Sequence, residues 1–224
     1  MILIAEIGNC HLGDFDKAKE LVRLAKESGA DIVKSKAYFA ENVNGTMPFA
    51  FYKQCEFTQE EYLELIHYAK TFLDIDLFYT VYSRKLYPMT YHQKYHKLPA
   101  SDVRRKPSTA ERMDMENLFV AIPELCPRPN VTKAQVLYVS EYTANNPHLE
   151  NIDNLREYYK RLVGYSDHTR GIEACVKAAK YHSAHIVEKH FTLDKNIQFD
   201  GIQLDESVHG LLPNEFEELA RAIK

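Results

Sequence analysis

Polar and charged residues recur at the ends of short apolar runs in this sequence: Glu6, Lys34 with Lys36, Thr80, Lys97, Ser140, Ser166 with His168, and Glu188 with His190. Residues two apart on a strand face the same side, so Lys34/Lys36, Ser166/His168 and Glu188/His190 can each point into one space. Two imidazoles at neighbouring strand ends, with Glu6 or another carboxylate nearby, suit a divalent cation and leave room for substrate. The lysines and the hydroxyls of Thr80 and Ser166 can bond phosphate or carboxylate oxygens. A metal for a carbonyl beside cations for an anion is the layout of an addition or condensation site. Taken singly, a lysine here would most often be solvated and a histidine structural. Their coincidence argues for a site, because charges gathered at one place are costly unless they bind something.

Eight runs rich in β-branched and aromatic residues would have to position these groups: 2–7, 31–36, 76–82, 94–98, 118–122, 135–140, 162–166 and 185–190. Amphipathic segments alternate with them, which is the pattern of βα units around a parallel sheet. Eight strands in 224 residues predict one compact domain over 1–224, a (β/α)8 TIM barrel with its site at the C-terminal strand ends. Ala18, Leu21, Val22 and Ala25 mark the first helix, with Asp14 or Asp16 to start it and Gly29 to end it. Thr58 with Glu61 predicts a capping box, and Ser108 with Glu111 predicts a second. Pro123, Pro127 and Pro129 predict an irregular fifth crossover, and 37–57 reads as an enlarged loop.

Composition narrows the class. Hydrophobic residues at 45% and charged residues at 27% fit a globular chain, and a formal charge of -4 gives no electrostatic reason to expect nucleic acid. No apolar run approaches membrane-spanning length and the first residues lack a signal-peptide pattern, so no membrane is expected. The four scattered cysteines, Cys10, Cys55, Cys126 and Cys175, form no disulfide framework and suit a reduced, cytoplasmic setting.

The segments IAEIGNCHLG (4–13), AKESGADIVK (25–34), VGYSDHTRG (163–171), IVEKHFTLD (186–194) and PNEF (213–216) together resemble the N-acetylneuraminate (sialic acid) synthase family, including its legionaminic and pseudaminic acid branches. The order of the SDHT and EKHF motifs is the specific part. Clear resemblance covers roughly 2–36 and 162–224, with weaker matches at FYTVYS (78–83), YHK (95–97) and VSEY (139–142).

The resemblance implies a short form without the C-terminal antifreeze-like domain, condensing phosphoenolpyruvate with an N-acetylmannosamine-like aldehyde and releasing phosphate. It makes His168 and His190 ligands of a divalent metal, with Mn2+ or Mg2+ expected, and places Glu6 near the metal and the aldehyde. Glu188 and Asp200 join Glu6 as candidate catalytic carboxylates. Lys34, Lys36, Lys97, Thr80, Ser140 and Ser166 would hold phosphoenolpyruvate, and Tyr142 would meet the acceptor. The site aspartate is Asp200 counted forward from His190 or Asp205 counted back from Pro213. A homodimer is also implied.

Departures from the family pattern are Cys10 for an asparagine, Lys36 for a glutamine, an altered strand-four motif around Ser101, and Pro123 with Glu124 where a Ser-Thr-Gly is usual. These keep two other readings open: a metal-dependent aldolase or isomerase, and a binding protein that has lost turnover.

Overall fold

The alternation along the eight runs is satisfied by eight parallel strands that close on themselves in sequence order. They are β1 (Ile2–Gly8), β2 (Ile32–Ala37), β3 (Asp76–Val81), β4 (His96–Lys97), β5 (Leu118–Pro123), β6 (Gln135–Val139), β7 (Val163–Asp167) and β8 (Ile186–His190). This is a computed structural model, and it describes residues 1–43, 45–123, 126–140 and 146–224. The outer layer comprises α1 (Phe15–Glu27), α2 (Phe49–Cys55), α3 (Gln59–Leu73), α4 (Ala100–Arg105), α5 (Ser108–Arg112), α6 (Glu150–Tyr159) and α7 (Glu173–Tyr181). A hairpin of β9 (Gln198–Phe199) and β10 (Ile202–Gln203), then α8 (Asp205–Val208) and α9 (Pro213–Ile223), follow the last barrel strand.

Local chemistry explains most boundaries. Asp14 caps α1 by accepting from Lys17 N at 3.0 Å, and the Ala18, Leu21, Val22 and Ala25 face is buried. Thr58 and Glu61 form the expected capping box of α3. The second box is a correction. Pro107 occupies the N-cap of α5 with no side-chain cap, and Glu111 instead accepts from Asn130 N at 2.8 Å, tethering the crossover after β5.

That crossover has no helix among the described residues, and 126–130 are irregular. Asp114 holds its far end by accepting from the backbone N–H groups of Thr132, Lys133 and Ala134 at 2.7–2.9 Å. Burial acts to raise the Asp114 carboxyl, but these bonds outweigh it and bring the pKa down to about 2. The 37–57 segment is more ordered than an enlarged loop, since it contains a 3-10 turn (Ala40–Asn42) and α2.

Inside the barrel, Ile4, Ile32, Phe78, Phe119, Leu137 and Ile186 form a closed apolar floor, with Tyr95 stacked on Phe119 at 5.5 Å. Gly164 admits this packing, because a Cβ there would lie 2.3 Å from Leu137 Cδ2 and 2.8 Å from Ile186 O. Gly164→Val is therefore expected to lower stability by about 1–3 kcal/mol through overpacking. Urea denaturation checks this, and an unchanged midpoint would contradict the close packing.

Candidate active site at the barrel mouth

Above the apolar floor, the inward positions change from hydrocarbon to charge. Register places Glu6 beside Lys34 and His190, Lys36 beside Thr80, Thr80 beside Lys97, and Ser166 beside Glu188. A cavity of about 400 Å³ opens there, lined by Glu6, Lys34, Lys36, Thr80, Lys97, Ser140, Ser166, His168, Glu188 and His190 among others. Strands β1 to β4 and β6 to β8 thus bring ten of the residues singled out in the sequence to one end.

Glu188 is the electrostatic centre. Its Oε1 accepts from Lys97 Nζ at 2.5 Å, Ser166 Oγ at 2.8 Å and Lys34 Nζ at 3.0 Å. Lys34 also pairs with Glu6, whose Oε1 accepts from Gly8 N at 2.8 Å. Burial acts to raise the Glu188 carboxyl, but Lys34 and then Lys97 hold it well below the usual carboxylate range. Burial presses Lys34 well below the usual lysine range against the pull of Glu188. Glu188 Oε2 and Thr80 Oγ1 are buried without a hydrogen-bond partner. Such groups are expensive in a finished interior and natural in a site that takes a polar ligand.

The imidazoles of His168 and His190 meet at the rim, with ring centroids 5.2 Å apart. His168 Nδ1 lies 3.0 Å from Ser140 O. A carbonyl only accepts, so Nδ1 carries the proton and Nε2 the lone pair. A ligating histidine usually has this arrangement, donating its other ring N–H to a carbonyl. His190 Nδ1 is buried without a partner. The two residues therefore offer a pair of donors that a divalent cation could use. Among the described residues no third His, Cys, Asp or Glu joins them in a cluster.

Burial lowers His168 to about 4 and His190 well below its ordinary value. Both rings thus stay neutral at pH values well under the reference near 6.5, further than the sequence alone suggests. The unfolded chain takes up these protons near pH 6.5 while the folded chain resists, so their contribution is full above pH 6.5. It is lost as pH falls from there, toward 4 for His168. The urea midpoint should therefore drop between pH 7 and pH 4.5, and less so in His168→Gln. Equal slopes in the two proteins would contradict this assignment.

The remaining candidates are placed differently. Asp200 is exposed in the turn of the β9–β10 hairpin and does not line the cavity. Asp205 begins α8 and lines a second cavity of about 610 Å³, which shares Lys36, Tyr82 and Arg104 with the first. Tyr142 lies outside the described residues.

Sequence reasoning passed over Glu206. Its carboxylate pairs with Lys36 and accepts from Asn9 N at 2.9 Å. Gly8, at φ +47°, makes room for it, since a Cβ there would lie 2.7 Å from that carboxylate. Burial lowers Lys36 to about 8. Position 206 directly follows one of the two aspartates considered, and only the fold shows that its contact spans 170 residues.

Residues 130–224 match the NeuB family. An uncharacterized protein of Methanocaldococcus jannaschii is 30% identical, with the match covering 99% of this chain and 69% of that one. The chain belongs to the NeuB family. A second relative is the N,N'-diacetyllegionaminic acid synthase of Campylobacter jejuni, 28% identical over 88% of this chain and 69% of that protein. The N-acetylneuraminic acid synthetase of Leptospira borgpetersenii shares the fold, with a TM-score of 0.83 and 24% identity over 99% of this chain and 82% of that one. β5 is the strand without a polar side chain at this mouth among the described residues. It presents Ala121 and Pro123 to the cavity, where no hydroxyl is available.

Proposed function

We propose that the chain condenses phosphoenolpyruvate with the open-chain form of an N-acetylated aldose, giving a nonulosonic acid and phosphate. The observation that carries this is the convergence of Lys34 and Lys97 on one buried carboxylate, in the same 400 Å³ cavity as two neutral imidazoles. That pairs an anion cradle with a site for a carbonyl oxygen. The activity named for the Campylobacter jejuni relative supports it.

Lys34 and Lys97 hold the phosphate and carboxylate oxygens, aided by the hydroxyls of Thr80 and Ser166. Glu188 keeps both ammonium groups in place before substrate arrives. The methylene carbon of phosphoenolpyruvate attacks the aldehyde carbon, whose oxygen takes up a proton; water adds to the resulting cationic carbon and gives up its protons as the bond from that carbon to the phosphate oxygen breaks, leaving a ketone and phosphate. Glu6, next to His190 in register, orients that water or relays its proton. A divalent metal bound by His168 and His190 would supply Lewis acidity toward the aldehyde oxygen. Lys36, between the two cavities, offsets the hydroxyls that β5 lacks.

Calorimetry with phosphoenolpyruvate tests the cradle. Lys34→Ala and Lys97→Ala should each weaken binding by about 1.5–3 kcal/mol, the size of one charge-assisted contact. Lys36→Gln should weaken it by about 0.5–1.5 kcal/mol. If Lys36→Gln binds more tightly, Lys36 does not compensate and its tie to Glu206 is its whole role.

A further inference from the structure

On β7 and β8 the last residue out of phase with the cavity is also charged. Asp167 and Lys189 point away from the barrel axis, are fully buried, and are direct partners in the parallel register. Lys189 Nζ donates to Asp167 Oδ2 at 2.5 Å. Asp167 also accepts from Tyr165 OH at 2.7 Å, Thr169 N at 3.1 Å, Thr169 Oγ1 at 3.2 Å and Cys175 Sγ at 3.4 Å. A fully desolvated ion pair is weak evidence for stability, since apolar replacements often serve as well. Its place beside the two histidines points to another role.

The hydrogen bonds lead from this pair to His168. Tyr165 OH lies 3.0 Å from Ser140 Oγ, which accepts from His168 N at 3.1 Å, while Ser140 O holds His168 Nδ1. Lys189 sits between Glu188 and His190 on one strand, and Asp167 between Ser166 and His168 on its neighbour. One contact thus locks the strand ends that carry both imidazoles.

We propose that Asp167 and Lys189 are positioning residues: a cross-strand latch on the outer face of β7 and β8 that fixes the tautomer of His168 and its spacing from His190. The metal consequence rests on the reading of these histidines as ligands, whereas the tautomer consequence does not. Loss of the latch frees the 167–169 turn, and the His168 ring then exchanges its bond to Ser140 O for others.

The test uses Asp167→Asn/Lys189→Met, which removes both charges at once and leaves neither buried alone, together with Tyr165→Phe, which cuts the link to Ser140 and keeps the ion pair. Imidazole nitrogen NMR on the whole chain should show His168 as a single Nδ1–H tautomer in the wild type and as an averaged mixture in both variants. Titration with Co2+ should show affinity about tenfold weaker in the double variant, within the range typical of groups that orient metal ligands, with an altered visible spectrum and a melting temperature close to wild type. An unchanged His168 tautomer in a folded variant overturns the latch. If the double variant does not fold, Tyr165→Phe decides by the same criterion. If the wild type takes up no Co2+ at millimolar concentration, the metal reading fails, and the tautomer result still decides the latch.

Discussion

Glu188→Ala should lower the unfolding free energy by about 3–5 kcal/mol, because it strands the buried Lys97 ammonium group and takes one of two carboxylates from Lys34. Lys97 would lose the only ion-pair partner it has among the described residues, and Lys34 would retain Glu6 alone. For a chain of this size that corresponds to a fall in melting temperature of roughly 6–20 °C. Thermal and urea denaturation measure it directly. A loss under about 1 kcal/mol would mean that both lysines reach water when Glu188 is absent. Glu188→Gln keeps an acceptor for Ser166 and should fall between the two proteins.

His190→Ala is expected to weaken divalent-cation binding by ~100-fold or more, beyond the range seen for groups that merely orient ligands. The fold should survive, since His190 is a neutral ring whose Nδ1 makes no hydrogen bond. Calorimetry with Mn2+ reads the affinity and circular dichroism the fold. His168→Ala should act in the same direction. Unchanged binding in both variants would put the cation elsewhere. The two effects are separable: one is stored in the charged layer of the cavity, the other at its rim.

The barrel was legible because strand periodicity and end-of-strand polarity repeat through the sequence, and all eight runs became strands. Their lengths were less legible. The run at 94–98 pairs over His96 and Lys97 alone. The Ser108 and Glu111 spacing matched a capping box, yet Pro107 took the cap position and Glu111 bonded a distant backbone N–H. Long-range register decides such competitions, and local spacing does not contain it.

The same reason explains what was missed at the site. Spacing by twos from Lys34, Ser166 and Glu188 marks the inward positions, which leaves Asp167 and Lys189 aside as outward residues. Their pairing appears only once β7 and β8 are aligned. Glu206 escaped because β1, β2 and α8 must be folded together before Asn9, Lys36 and Glu206 meet. Asp200 and Asp205 could not be separated by counting, whereas the β9–β10 hairpin carries one into solvent and α8 keeps the other beside Lys36.

A single assay addresses the central claim: purified protein incubated with phosphoenolpyruvate, Mn2+, and a panel of N-acetylated hexoses, with phosphate and the sugar product both quantified. The account predicts phosphate release in equal amount to a new nonulosonic acid, dependent on one or more of the acceptors and lost in Lys97→Ala. A carbon–carbon product formed without phosphate release would identify an aldolase instead. No phosphate release with any acceptor, together with no calorimetric binding of phosphoenolpyruvate at millimolar concentration, would contradict the condensation mechanism at its first step.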